Sequence, residues 1–193
     1  MNKKLLSIFL FLIPCFAAPQ FAQAQYSSQN ISLLSNFDDV TVPAEPGYGI
    51  RYNGIWGWAD GAGKEYACIG ASNGVYIVEV TNPATPMQRD FIPGCVVNCI
   101  WRELKTYNNY LYMVSDDFGP NCLQIADLSY LPDSVHIVHQ SDQILTQSHT
   151  IFIDGNKLYC GAPTGNAVGG ATEQMAVFSL ANPASPLLLR KLS

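Results

Sequence analysis

Gly74-Val75-Tyr76-Ile77-Val78-Glu79-Val80-Thr81-Asn82-Pro83-Ala84-Thr85-Pro86 decides the fold, because its pattern returns as Met175-Ala176-Val177-Phe178-Ser179-Leu180-Ala181-Asn182-Pro183-Ala184-Ser185-Pro186. Each copy is a short β-branched and aromatic run closed by an Asn-Pro turn. A divergent copy stands between them: Leu123-Gln124-Ile125-Ala126-Asp127-Leu128, then Ser129 to Ser134. A second run repeats in step, as Glu65 to Gly70, Asn109 to Val114 and Asn156 to Gly161. The period of about 48 to 52 residues is that of propeller blades rather than of helical repeats.

Working outward, each period reads as four strands. In the first they span 55–60, 65–71, 75–81 and 87–92, and the joints Asp60-Gly61-Ala62-Gly63, Asn73-Gly74 and Asn82-Pro83 carry turn chemistry. No segment beyond residue 24 combines a helical period with caps. The reading is all-β: a β-propeller of four-stranded blades, about three in number, at 55–92, 100–140 and 148–193. Residues 25–54 form a lead-in, in which 29–37 reads as a lone closing strand. Three blades and one strand do not close a ring. The expectation is a piece of a longer protein, or a chain whose closure needs the remaining blades of a parent or a second chain.

The first residues point to export. Lys3 and Lys4 precede the apolar run Leu5 to Phe16, and Ala22-Gln23-Ala24 places small residues where a signal peptidase reads. Residues 1–24 are the expected signal peptide. The competing lipoprotein reading, through Cys15, fits poorly with Pro14 before it. No later apolar run is long enough to span a membrane. The formal net charge is −5, and losing Lys3 and Lys4 with the leader makes it more negative. Such a surface repels a phosphate backbone, so nucleic acid is excluded as a partner.

Of the six cysteines, Cys68, Cys95, Cys99, Cys122 and Cys160 lie beyond the leader. Cys95 and Cys99 share one loop and are the candidate disulfide in an oxidising compartment. Cys68 and Cys160 read as small buried hydrophobes within strands. The Cys and His spacing offers no zinc set. His136 and His139 are an odd offset apart on one strand and face opposite ways.

Several motifs together resemble the choice-of-anchor B family, secreted bacterial proteins built of LVIVD repeats. They are Trp56-Gly57-Trp58-Ala59-Asp60 with Lys64 to Ala67, Gly74 to Pro83, Trp101 to Tyr107, Leu123 to Leu128, and Ser148-His149-Thr150-Ile151. The resemblance covers the N-terminal half of such a protein. It implies a propeller-like fold and export, with an anchoring or sorting segment at the far end of full-length members. It implies no enzymatic activity.

In a propeller the loops between strands two and three share one face with those leading into strand one. Here the former differ in length: 71–74 is tight, 115–121 longer and 163–173 longest. Variable loops on a rigid frame are where binding lives. The candidate ligand residues are Trp58, Asp60, Trp101, Arg102, Glu103, Asp116, Asp117 and His149. Each has a plainer role open to it: blade packing for the tryptophans, salt bridges for Arg102 and Glu103, a solvated turn for Asp116-Asp117 and a structural hydrogen bond for His149. No P-loop, Gly-x-Ser-x-Gly elbow or His-Glu-x-x-His occurs, and no cofactor or metal is expected. The leading function is a secreted or surface-displayed, non-catalytic scaffold that binds a protein or a glycan. Two alternatives stand beside it. One is a hydrolase or lyase with a site in the central opening, using His149 with Asp60 or Glu103; the other is an inert module of a surface protein.

Overall fold

The computed structural model describes residues 29–117, 119 and 121–193. The signal peptide expected at 1–24 lies outside the described residues, as does Cys15. By its internal contacts the chain divides between Ser32 and Leu33. Residues 29–32 carry no strand or helix.

Residues 33–193 hold twelve strands: β1 Tyr52–Ala59, β2 Glu65–Ala71, β3 Gly74–Glu79, β4 Met87–Pro93, β5 Arg102–Tyr107, β6 Tyr110–Ser115, β7 Leu123–Asp127, β8 His136–Ser141, β9 Thr150–Asp154, β10 Lys157–Gly161, β11 Met175–Ser179 and β12 Leu187–Leu192. They form three four-stranded antiparallel sheets in sequence order, β1 to β4, β5 to β8 and β9 to β12. The expected strand edges hold to within a few residues. The fold is all-β and propeller-like, with three blades.

Alternation along single strands makes the sheets stack as blades. On β6, Leu111 and Met113 join a core with Tyr66, Cys68, Ile77 and Leu104, between the first blade and the second. The intervening Tyr112 and Val114 join a separate core with Ile151, Leu158, Cys160 and Phe178, between the second blade and the third. One strand thus feeds two cores because successive side chains leave opposite faces. Each fully buried Ile, Leu or Phe contributes about 1.5–3 kcal/mol, so the apolar run on both faces is the source of the stacking.

The first strands of neighbouring blades lie side by side, β1 against β5 and β5 against β9. Gly54, at φ 79°, permits the first approach, since a Cβ there would stand 2.3 Å from the Arg102 carbonyl oxygen. A backbone atom that close cannot yield, so no other residue fits without moving the blade.

The two ends of each blade differ. At one end, hereafter the turn end, strands one and two meet through Asn108-Asn109 and Gly155-Asn156, whose first residues take φ 52° and 54°. In the first blade the joint is the longer Asp60 to Lys64. The other end, the loop face, carries the uneven connections.

Residues 29–37 form no strand, a departure from the expected closing strand. All three sheets already contain their own fourth strand, so no third strand here offers an edge. Instead Phe37 packs its ring against Tyr52 and Tyr76, and Val42 is buried with Ala71, Tyr76 and Val78 on the outer flank of the first blade. The Ser35 hydroxyl donates to the Pro83 carbonyl at 2.6 Å. Tyr112 of the second blade donates in the same way to Pro183 of the third, at 2.7 Å. Pro83 and Pro183 are equivalent positions of the repeated turn.

Candidate functional site

Asp117 organises the loop face. Its Oδ2 accepts from the amides of Ile100 (2.7 Å) and Trp101 (3.5 Å), and its Oδ1 from the Ser115 hydroxyl (2.8 Å). A carboxylate bonded to consecutive amides fixes the backbone that carries Trp101, leaving the indole 41% exposed. Asp116 sits beside it, and its amide donates to the Trp101 carbonyl at 3.3 Å. Its Oδ2 meets His149 Nδ1 in a short contact, while Oδ1 is buried with no partner among the described residues. The His149 ring stays 66% exposed. Gln147 Nε2 donates to the carbonyls of Asp116 and Gly119, and the Gln147 amide to Thr164. One hydrogen-bonded chain therefore crosses the face from the second blade to the third.

A second carboxylate does for the lead-in what Asp117 does for Trp101. Glu45 is buried, and its two oxygens each accept at 2.7 Å, from Gly47 N and Tyr48 N. The turn so held presents Tyr48, 69% exposed, edge-on to Trp101 with ring centroids 6.0 Å apart. Tyr48 lies outside the repeats, so periodicity does not flag it. The signal available is Glu45-Pro46-Gly47-Tyr48, a Pro-Gly turn carrying an aromatic.

Arg102 is 4% exposed and forms no salt bridge among the described residues. Its Nε donates to Ala71 O (2.7 Å) and its Nη2 to Val96 O (2.8 Å) and Ser72 O (3.4 Å). Burial pulls its pKa below the usual guanidinium value. The residue is a tie between the first and second blades, occupied fully by carbonyls rather than free for ligand or for the salt bridge expected of it. Gly94 makes room for it, since a Cβ there would lie 2.4 Å from Nη2.

Two expected residues belong elsewhere. Trp58 and Asp60 close β1 at the turn end, away from Trp101 and His149. The Trp58 indole donates to Asn108 O at 3.1 Å and packs on Tyr66, and Asp60 Oδ1 accepts from Ala62 N and Lys64 N. They are a packing residue and a turn residue. Glu103 lies on β5 and pairs with Lys105 at 3.3 Å. The imidazole of His149 thus pairs with Asp116, and not with Asp60 or Glu103.

The disulfide is also corrected. Cys95 joins Cys122, not Cys99. The bond staples the connection between the first two blades to the long loop of the second, a partner that local spacing along one loop does not reveal. Cys99 is a buried free thiol; burial, with the Asp117 contact next, pushes its pKa up to about 11. Cys68 and Cys160 are buried thiols pushed up to about 12 by desolvation. Among the described residues no three His, Cys, Asp or Glu side chains converge as a metal set. No helix of the described residues is long and apolar enough to cross a membrane.

The class defined by these features is a propeller-like stack of four-stranded blades with one elaborated face. No protein-family model matches the chain, and no curated protein matches it. Among solved structures, an exo-1,5-α-L-arabinanase from a bovine ruminal metagenomic library is similar at 11% identity, with a TM-score of 0.35. The match covers 74% of this chain and 59% of that one, so the chain spans less than two thirds of that protein's length.

Proposed function

We propose that this chain belongs to an exported propeller that binds a protein or a glycan, without catalysis, through its loop face. The observation that carries the reading is the network joining Trp101, Asp116, Asp117, Gln147 and His149. It holds an exposed ring and an exposed imidazole in fixed positions at the mouths of β5 and β9. Preorganised exposed groups bind with less ordering cost than mobile ones. Binding assays on the full chain against arrayed proteins and glycans test the reading. Substitutions within 115–121 and 163–173 are expected to abolish capture, and capture indifferent to both segments counts against this face.

Export is supported by the Lys3-Lys4 and Leu5–Phe16 pattern and by the Cys95–Cys122 bond, which suits an oxidising compartment. Membership among the LVIVD-repeat, choice-of-anchor B proteins is proposed on the repeated motifs alone. The outer flanks of the first and third blades offer apolar side chains such as Ile55 and Phe152 to solvent, which suits packing against further blades, of the parent chain or of a second one.

A second reading, an enzyme, is favoured by one contact: Asp116 orienting an exposed His149 in the manner of a general base. Screening for glycan or ester hydrolysis with a His149→Ala control separates the two, since turnover unchanged by that substitution removes the base.

A further inference from the structure

We infer that the ligand of the loop face is a neutral carbohydrate, stacked on the Tyr48–Trp101 pair and held through its hydroxyls by His149; this rests on the loop face being the binding face. A sugar ring has an apolar C–H side and a rim of hydroxyls, so it needs an aromatic plate beside fixed polar groups. Trp101 supplies the plate, and Tyr48, at 78° to it, an apolar wall at its side. They come from segments far apart in sequence, yet stand edge to face at 6.0 Å, both exposed. Each is also braced by its own carboxylate, Glu45 for Tyr48 and Asp117 for Trp101. Two independent clamps on two adjacent exposed rings mark a built surface rather than scattered ones.

The polar groups argue for a neutral ligand. Arg102, the guanidinium at the start of β5, is buried and bonded to three carbonyls, and Arg51 Nε donates to Val42 O, so both are engaged within the protein rather than held out for a phosphate, a uronate or an acidic peptide. Asp116 engages Nδ1 of His149, and among the described residues Nε2 makes no hydrogen bond, leaving it for a hydroxyl. Beyond His149 the third blade's loop pairs its charges, Lys191 with Glu173 at 2.6 Å, and adds neutral groups: the Thr164 and Thr172 hydroxyls meet at 2.7 Å, and Asn166 donates to Gln143 at 3.4 Å. Amides and hydroxyls of this kind exchange hydrogen bonds with sugar hydroxyls.

The test uses the full chain with its disulfide intact, on an array of neutral oligosaccharides (β-1,4-glucan, β-1,4-xylan and mannan series), acidic oligosaccharides and peptides. Hits are followed by tryptophan fluorescence titration. Neutral oligosaccharide binding is expected to weaken about tenfold or more in Trp101→Ala and about threefold in Tyr48→Ala, and to hold in Tyr130→Ala at the turn end. Trp101→Phe keeps a plate and retains most of the affinity, so the comparison survives if the alanine variant misfolds. Peptide or acidic-glycan capture lost in Trp101→Ala overturns the carbohydrate and leaves the loop face standing. Neutral-sugar binding untouched by both ring variants overturns the site itself. Failure of every neutral oligosaccharide to bind at millimolar concentration overturns the inference outright.

Discussion

The turn end and the loop face of the same blades are built on different principles. At the turn end, beside single cross-blade bonds such as Trp58 to Asn108 O and Tyr112 to Pro183 O, the joints cap themselves: Asp60 Oδ1 takes Ala62 N and Lys64 N, Asn82 Oδ1 takes Ala84 N, and Asp127 Oδ1 takes Ser129 N. These are side chains capping their own turn, within four residues. At the loop face the bonds reach between blades. Arg102 of β5 holds carbonyls of the first blade and Asp116 of the second blade meets His149 before β9, while Asp117 holds the amides that lead into β5 of its own blade. Local closure makes turns that repeat, whereas cross-blade closure makes a face specific to its neighbours.

That contrast breaks first at Arg102. Replacing it with alanine removes three hydrogen bonds to carbonyls and leaves a void between blades, and about 4 kcal/mol of unfolding free energy is expected to be lost. Arg102→Lys recovers only part, because an ammonium cannot fork between them. Denaturant titration reads both, and a loss under about 1 kcal/mol would show that the tie is idle.

Next comes the staple. Cys122→Ser opens a link across a sequence separation of 27 and is expected to cost about 3 kcal/mol. A non-reducing peptide map sharpens this, giving a Cys95–Cys122 cross-link with Cys99 alkylated only after unfolding. A Cys95–Cys99 cross-link would contradict the assignment.

A smaller effect is expected at the turn end, where Asp60→Ala removes two local bonds and costs about 1 kcal/mol. Ligand capture should stay unchanged, since the residue is remote from the loop face; reduced capture would place the site wrongly.

The smallest is a pH effect with one group at each end. Arg89 holds the Glu79 carboxyl below its ordinary 4.5, and Lys191 does the same for Glu173. A lowered folded pKa means that the unfolded chain takes up protons first. The stability is therefore complete above pH 4.5 and fades as pH falls through the lowered values. Melting temperature followed from pH 6 to 2 should decline less steeply in Glu79→Gln, and parallel curves would refute the coupling.

The blades were legible because their spacing repeats and their apolar residues fill both faces: Leu111 and Tyr112 read as core in either direction, and each found one. The site was legible only in part. Trp101, Asp116, Asp117 and His149 fall on the expected face because that face follows from strand order. Trp58 and Asp60 fall at the other end, because β1 carries the chain from the loop face to the turn end before reaching them. Tyr48 and the Cys95–Cys122 bond depend on which loops the stacking brings together, and a one-dimensional pattern carries no such information.

The two proline carbonyls of the repeated turn carry one last consequence. The second blade reaches forward to Pro183 through a tyrosine, and the lead-in reaches Pro83 through Ser35 while Phe37 settles on the ring of Tyr76. The lead-in thus impersonates a preceding neighbour. Phe37 and Val42 thereby keep one part of the first sheet's greasy flank from chance adhesion to other molecules, while Ile55 leaves another part open to a further blade.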